Sequence, residues 1–174
     1  MISTDQFLAN IFATPTICIV PCGAEKAESP TKARDLYLSS TFRSVLAGAE
    51  EQCDKVYILS AKHGLLDLDE EVAPYDTTMG AGDEEEISNE ELAQQFEAIL
   101  ADHPETLVDV YTMLPKKYLA KLDPIAREQD CYLQDSYEAT RGIGDHRGVA
   151  RQSQEMTKER FEETIAKMNL ALAS

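Results

Sequence analysis

The sequence predicts a single α/β domain with three layers, in which helices cover both faces of a mainly parallel sheet of about four strands. Short apolar runs rich in β-branched residues alternate with segments in which apolar residues recur at helical spacing. Strands separated by helices need crossover connections, which favour parallel pairing. A chain of 174 residues is long enough to build one core, so residues 1–174 are assigned to one domain.

Four short segments are the predicted strands. They are TICIVP at 16–21, VYILSA at 56–61, LVDVYTML at 107–114 and the short CYL at 131–133. The first two are continuous apolar runs, which are typical of strands buried on both faces. Ligands of open parallel sheets bind beyond the carboxyl ends of the strands. We therefore expect the functional residues in the loops that follow these strands.

Five segments are predicted to be helical. The expected starts of the first four are Ser3, Ser40, Ser88 and Pro115, and the last helix carries apolar residues from Phe161 to Leu172. Ser3 and Ser88 are each followed three residues later by Gln or Glu, the pattern of a capping box. The Asp123-Pro124 pair is predicted to end the fourth helix, because the residue before a proline disfavours helical geometry.

The charge of the chain is strongly negative and uneven. The net charge is −16, and the segment from Gly64 to Pro115 contains fifteen Asp or Glu and no Lys or Arg. This acidity opposes non-specific binding of nucleic acid over the whole surface. Basic residues follow Pro115, so a local basic groove remains open and nucleic acid is not excluded as a partner.

The four cysteines show no pattern of a metal site or a disulfide framework. Cys18, Cys22, Cys53 and Cys131 include no C-x-x-C pair, and we expect reduced thiols. The amino terminus lacks the features of a signal peptide, and no apolar run reaches the length of a membrane span. The sequence therefore predicts a cytoplasmic protein with no membrane contact, metal or cofactor.

The loop after the first strand, CGAEK, offers a thiol, a glycine and a lysine. Gly23 allows the backbone to approach a ligand closely, Lys26 can neutralise a phosphate, and Cys22 is the thiol best placed for reactivity. Neither the Walker nor the Rossmann glycine spacing is present. A solvent-facing Lys26 without a binding role is an equally good interpretation.

The segment after the second strand begins with Ser60, Lys62 and His63, and Gly64 permits a sharp reversal. Histidine can donate or accept a proton near neutral pH. A local hydrogen-bonding role for His63 is the alternative to a catalytic one.

The motif APYDTT, at 73–78, has two interpretations that chemistry alone leaves open. Tyr75 can be a stacking platform for a base, beside an Asp76 carboxylate that the hydroxyls of Thr77 and Thr78 orient. Alternatively, Asp76 caps a turn by bonding the amide of Thr78, and Tyr75 closes the core.

Four segments carry a resemblance to a known family. PCGAEK, ARDLYLSSTFRSVLAGAE, YILSAKHGLLDLDEEVAPYDTT and RGIGDHRGVARQSQEM span almost the whole chain in this order. Together they resemble a bacterial and phage family of unknown function, some members of which are antiviral DNA glycosylases that remove modified bases from phage DNA. The resemblance implies a fold like that of uracil-DNA glycosylase, with base-exchange enzymes as further relatives. The chain departs from the family pattern at Pro21, Glu25 and His63, so the substrate is the least transferable part.

The resemblance implies cleavage of an N-glycosidic bond, which develops positive charge on the sugar and negative charge on the departing base. Asp76, with Glu71 as the alternative, fits the carboxylate beside the sugar. His63 and Lys62, with the amides around Gly23, fit the donors to the base.

The remaining implied residues bind the substrate. Tyr75 would stack against a base that has been flipped out of the duplex. The other members of the expected pocket are Cys22, Gly23, Lys26, Ser60, Lys62, Gly64 and Thr77. Arg141, Arg147 and Arg151 would hold the flanking phosphates, although they can instead pair with the acidic excess.

Two other functions remain open. An enzyme acting on a free nucleoside or nucleotide would use the same pocket without a DNA groove, and the net charge of −16 favours it. A non-catalytic protein could use the acidic face from Asp67 to Glu105 to imitate nucleic acid and occupy a basic partner. A positive rim at the three arginines would favour DNA, and a negative rim would favour the small substrate.

Overall fold

The structure is a computed structural model that describes residues 15–103 and 108–137. The described residues form a five-stranded sheet, a separate two-stranded sheet and four helices. The strands are β1 (Thr16–Pro21), β2 (Thr31–Lys32), β3 (Lys55–Ser60), β4 (Gly64–Asp67), β5 (Glu71–Val72), β6 (Asp109–Thr112) and β7 (Leu133–Asp135). The helices are α1 (Ala33–Leu36), α2 (Ser40–Gln52), α3 (Asn89–Ala101) and α4 (Lys116–Glu128).

The large sheet is mainly parallel, as the sequence predicts. Its strand order is β4-β3-β1-β6-β7, and β3, β1, β6 and β7 run in parallel. β2 and β5 form the separate antiparallel pair. The chain is therefore a mixed α/β protein in which four parallel strands form most of one sheet.

The large sheet has one strand more than the four predicted, the edge strand β4. The expectation that only a loop follows β3 is therefore wrong. The chain reverses after Ser60, and Gly64 to Asp67 pairs antiparallel with β3 at the edge of the sheet. Leu65 and Leu66 are both buried, one in each of the two hydrophobic clusters that flank the sheet. Their alternation onto the two faces stabilises this strand.

Helices cover both faces of the large sheet, which confirms the three layers. On one face, α3 and α4 pack Leu92, Phe96 and Leu122 against β1 and β3. On the other face, Leu36 of α1 and Phe42 of α2 pack in the second cluster. The sheet thus lies between two apolar layers, and its polar residues are left at the strand ends.

The helix starts follow the serine caps closely. Ser88 forms a complete capping box with Glu91, as predicted. The cap of α2 is Ser39 rather than Ser40, because the Ser39 hydroxyl accepts the amide N–H of Phe42 at 3.2 Å. Two adjacent serines offer the same chemistry, and the structure selects the first.

Pro124 does not end α4, contrary to the prediction from Asp123-Pro124. The helix continues to Glu128 with Pro124 inside it. The last turn is anchored by the buried side chains of Ile125 and Ala126, and core packing of this kind can offset the hydrogen bond that proline removes.

The expectation of four reduced thiols is wrong for two cysteines. Cys18 of β1 and Cys53, which follows α2, form a disulfide with their Cα atoms 5.8 Å apart. The two residues are separated by 35 positions in the sequence. They come together because α2 packs beside β1 and β3, which starts at Lys55, pairs with β1. Cys22 and Cys131 are free thiols, and Cys131 is buried.

Some predictions fall outside the described residues. These are the helix after Ser3, the final helix and the third loop, RGIGDHRG, at 141–148. Among residues 15–103 and 108–137, no helix has the length and apolar character that crossing a bilayer requires.

Candidate functional site

The loops that follow β1 and β3 meet at the carboxyl edge of the sheet. Pro21 and Leu59 lie side by side in the parallel register, and the amide of Cys22 donates to the carbonyl of Leu59 at 3.1 Å. Cys22 and Ser60 therefore leave the sheet in the same direction. Adjacent parallel strands predict that loops 22–26 and 60–78 meet at one edge of the sheet, and the structure confirms this prediction.

Five side chains form what we call the carboxyl-edge cluster: Cys22, Tyr37, Ser60, Tyr75 and Tyr118. The Ser60 hydroxyl donates to the Tyr75 hydroxyl at 2.8 Å, and the Tyr75 and Tyr37 hydroxyls are 2.9 Å apart. The thiol of Cys22 lies 3.2 Å from the Tyr118 hydroxyl. Burial raises the pKa of all three tyrosines above the ordinary value, so these hydroxyls are neutral donors and acceptors at physiological pH.

Ser60 also organises the turn that carries Lys62 and His63. Its hydroxyl accepts the amide N–H of Lys62 at 3.2 Å and that of His63 at 3.0 Å. A serine hydroxyl has one donor and two acceptor sites, and here all three are used. This satisfies the polar group of a completely buried side chain.

The ring of Tyr75 is in contact with Lys26 and His63. The ammonium of Lys26 lies over its ring, 4.2 Å from the centroid, and the His63 ring packs in an edge arrangement at 5.2 Å. Lys26 therefore covers one face of the predicted stacking platform. A base could stack on that face only after Lys26 moved aside.

The two candidate carboxylates occupy different elements, and both are exposed. Asp76 directly follows Tyr75, whereas Glu71 lies in β5 opposite Lys32. Within the described part of the chain, Asp76 accepts no hydrogen bond from Thr78. The described residues therefore lack the turn bond of the alternative interpretation, and the Asp76 side chain is exposed to solvent.

Lys62 forms an ion pair with the acidic segment at 83–86. The Lys62 ammonium lies 2.8 Å from the Glu85 carboxylate. The hydrogen bond and charge of Lys62 lower the pKa of Glu85. Thr77 is buried, and its hydroxyl has no hydrogen-bond partner among the described residues. The positive charge of Lys62 is thus already paired, which makes it a weaker candidate than Lys26 for binding an anion.

Lys26 has no such partner. Among residues 15–103 and 108–137, no carboxylate lies within ion-pair distance of its ammonium, which donates to the carbonyl of Ala24 at 3.3 Å. Although the protein has a net charge of −16, the ammonium of Lys26 is not paired with a described carboxylate. It is therefore the better candidate for binding an anion.

His63 is a neutral side chain at physiological pH. Partial burial, with a smaller contribution from the Lys62 ammonium, lowers its pKa below the ordinary 6.5. A neutral imidazole keeps one N–H donor and one acceptor. It can therefore donate a hydrogen bond without carrying charge.

The comparison with known proteins places this chain in a family. Residues 17–151 match the Family of unknown function (DUF6884). The chain belongs to this family. It is also 32% identical over 138 residues to the Uncharacterized protein YfjM of Bacillus subtilis (strain 168), a match that covers 74% of this chain and 87% of YfjM.

The match to the DUF6884 family covers the whole carboxyl-edge cluster and extends past the third loop to residue 151. Arg141, Arg147 and Arg151 fall inside the matched range but outside the described residues. Their phosphate-binding role stays a prediction. In the described part of the DUF6884 domain, no three His, Cys, Asp or Glu side chains are grouped as metal ligands would be.

Two tyrosines of the cluster were missed by the sequence reasoning. Tyr37 lies directly after α1, and Tyr118 lies in the first turn of α4. Each falls in a segment where an aromatic residue is expected to pack in the core. The signal that could have revealed them is position, since α4 begins close to the carboxyl end of β6.

Proposed function

We propose that this protein is a DNA glycosylase that hydrolyses the N-glycosidic bond of a modified nucleobase, and that its substrate is modified phage DNA. The observation that carries the proposal is the convergence at the carboxyl edge of the sheet. There the hydroxyls of Ser60 and Tyr75 are linked, and Lys26 covers Tyr75 without a carboxylate partner among the described residues. Asp76, with an exposed side chain, directly follows Tyr75 in the sequence. The mainly parallel sheet with this edge is compatible with a uracil-DNA-glycosylase-like fold.

Asp76 is the group suited to the sugar. Loss of the base leaves positive charge on the sugar, and a fixed negative charge nearby stabilises that transition state. Asp76 follows an anchored Tyr75 but accepts no internal hydrogen bond among the described residues. Its carboxylate is therefore available to the substrate or to the attacking water.

His63 is the group suited to the departing base. The base leaves with negative charge, which a nearby hydrogen-bond donor stabilises. His63 keeps an N–H as a neutral ring, and its backbone is fixed by the bond to Ser60. Lys26 serves the phosphate beside the flipped nucleotide, because its ammonium is not neutralised by a described carboxylate.

The experiment is a base-release assay on duplex and single-stranded DNA. Oligonucleotides carrying one modified base each are incubated with the protein, and abasic sites are scored by strand cleavage in alkali. Wild type is compared with Asp76→Asn and with Asp102→Asn, a matched control at the exposed end of α3. We expect base release that is lost in Asp76→Asn and kept in Asp102→Asn.

The same assay on free nucleosides and nucleotides tests the small-substrate alternative, which the charge of −16 favours. Release from these alone would replace the DNA glycosylase with a nucleoside or nucleotide N-glycosidase. Absence of release from every substrate would overturn the enzymatic proposal and favour a non-catalytic acidic protein.

A further inference from the structure

The turn between β3 and β4 is held by a glutamine from α3. The amide N–H of Leu65 donates to Oε1 of Gln95 at 2.7 Å, and Nε2 of Gln95 donates to the carbonyl of His63 at 2.9 Å. One side-chain amide thus bonds the backbone on both sides of Gly64. The two bonds fix the orientation of this peptide segment relative to α3.

Gly64 makes this contact possible. Its φ is +73°, a backbone conformation that residues with a side chain rarely adopt. A Cβ added at this position would overlap Oε1 of Gln95. The close approach of the Gln95 amide therefore depends on a residue without a side chain. Gly64 and Gln95 are therefore both required for the contact between α3 and the turn.

The same turn is held from the other side by Ser60, whose hydroxyl accepts the amides of Lys62 and His63. Within the turn, Gln95 and Ser60 both bind only backbone atoms. The imidazole of His63 is left to face the cluster, where its ring packs against Tyr75. Two side chains from different elements therefore determine where the His63 ring lies.

We propose that Gln95 is a positioning residue that acts through His63. The inference rests on the proposed function, because base release is the reaction that His63 serves. A donor to a departing base must lie at the correct place, and a misplacement of about 1 Å can cost roughly a hundredfold in rate. Without the Gln95 amide, the carbonyl of His63 and the N–H of Leu65 lose their partners and the turn relaxes.

The test compares Gln95→Met and Gln95→Glu with Gln129→Met. Gln129 is a matched control, since its Nε2 donates to the carbonyl of Ala93 at 2.9 Å from the end of α4 and does not contact the turn. Gln95→Glu keeps an acceptor for Leu65 but puts a carboxylate oxygen against the carbonyl of His63. It serves as the second variant if Gln95→Met does not fold.

Three quantities are measured for each variant: the melting temperature, kcat and KM of base release, and the titration of the His63 ring by NMR. The charged groups that influence this ring are Lys62, Glu70 and Glu85. Gln95→Met and Gln129→Met leave this set of charges unchanged, whereas Gln95→Glu adds a carboxylate and is therefore compared by kcat, KM and melting temperature. In both Gln95 variants, we expect kcat to fall by roughly ten- to a hundredfold with KM changed by less than about threefold. We also expect the pKa of His63 to rise towards 6.5 in Gln95→Met, and neither change in Gln129→Met.

A Gln95 variant that melts like Gln129→Met and retains the wild-type kcat and His63 titration would overturn the inference. The NMR titration needs no substrate. If no DNA or nucleoside releases a base, the proposed function fails, and the His63 titration still decides whether Gln95 positions the ring.

Discussion

The hydroxyl of Ser60 donates to the hydroxyl of Tyr75 at 2.8 Å and thereby joins the end of β3 to a loop fifteen residues further along the chain. The Tyr75 hydroxyl continues the connection to Tyr37 at 2.9 Å. Ser60 is completely buried and Tyr75 is partly exposed. The interior of the protein thus determines the position of a side chain that reaches the surface beside Asp76.

Removing the Ser60 hydroxyl should destabilise the protein. Ser60→Ala leaves two backbone amides without a partner and removes one of the two hydrogen bonds of the Tyr75 hydroxyl, which should lower the free energy of unfolding by about 1–3 kcal/mol. Tyr75→Phe should cost less, because Ser60 keeps its two amide bonds. Urea unfolding of both single variants and the double variant should give a coupling energy of roughly 0.5 kcal/mol or more. Strict additivity would contradict the bond.

Replacing Lys26 should affect substrate binding more than folding. Lys26→Met loses an ammonium that packs on the Tyr75 ring, and such a contact at a partly exposed site contributes about 0.5–1 kcal/mol. If Lys26 contacts a phosphate, the slope of log affinity for DNA against log salt should fall by about one. Arg127→Gln, which removes an equal charge at the end of α4, is the control. An equal loss in both variants would argue against a phosphate contact.

His63 should make stability depend on pH in one direction. Burial lowers its folded-state pKa below 6.5, so the unfolded chain binds more protons between the folded-state pKa and 6.5. Stability is complete above the unfolded-state pKa and decreases as the pH falls through this window. Wild type should therefore lose more stability than His63→Gln between about pH 7 and about pH 5. Urea unfolding of both proteins across this range checks the prediction; a His63→Gln curve parallel to wild type would contradict the shift.

Reduction of the Cys18–Cys53 disulfide should lower the melting temperature. The bond closes a loop with a separation of 35 residues, and cross-links of this kind contribute about 2–4 kcal/mol. For a domain of this size, the expected change is roughly 5–15 °C. A Cys18→Ala and Cys53→Ala double variant should melt at the lower temperature with or without reductant. Identical melting of reduced and oxidised wild type would contradict the expected stabilisation.

The strands of the large sheet could be predicted where the sequence contains a continuous apolar run. β1 and β3 were predicted within one residue of their observed bounds, because strands buried on both faces leave a strong sequence signal. β4 was missed because Gly64–Asp67 contains only two apolar residues. Its strand geometry depends on pairing with β3, which no local pattern records.

The position of a site residue could be predicted where the residue follows a strand. It could not be predicted where the residue lies on a helix. Ser60 and Cys22 could be placed together from the rule that parallel strands share a carboxyl edge. Tyr118 could not, because it reaches Cys22 from 96 positions away. Gln95 carried a usable signal, since it occupies the apolar face of α3 between the buried Leu92 and Ile99, where a polar residue needs a partner.

Asp76→Asn is the decisive variant for the mechanism. The substitution preserves shape and removes the negative charge, so kcat of base release should fall by roughly a hundredfold or more, equivalent to about 3 kcal/mol of transition-state stabilisation. The carboxylate is exposed and accepts no internal hydrogen bond among the described residues. The free energy of unfolding should therefore change by less than about 0.5 kcal/mol, and DNA affinity should be retained.

Glu71→Gln separates the two candidate carboxylates. Glu71 lies in β5 opposite Lys32, whereas Asp76 follows Tyr75 of the carboxyl-edge cluster in the sequence. If Asp76 is the group that stabilises the sugar cation, Glu71→Gln should retain at least about a third of wild-type kcat, a loss well below the hundredfold expected of a catalytic charge. Base-release rates measured beside thermal melts decide between them. An active Asp76→Asn protein would rule out the assignment, and an inactive Glu71→Gln protein in that case would transfer the role to Glu71.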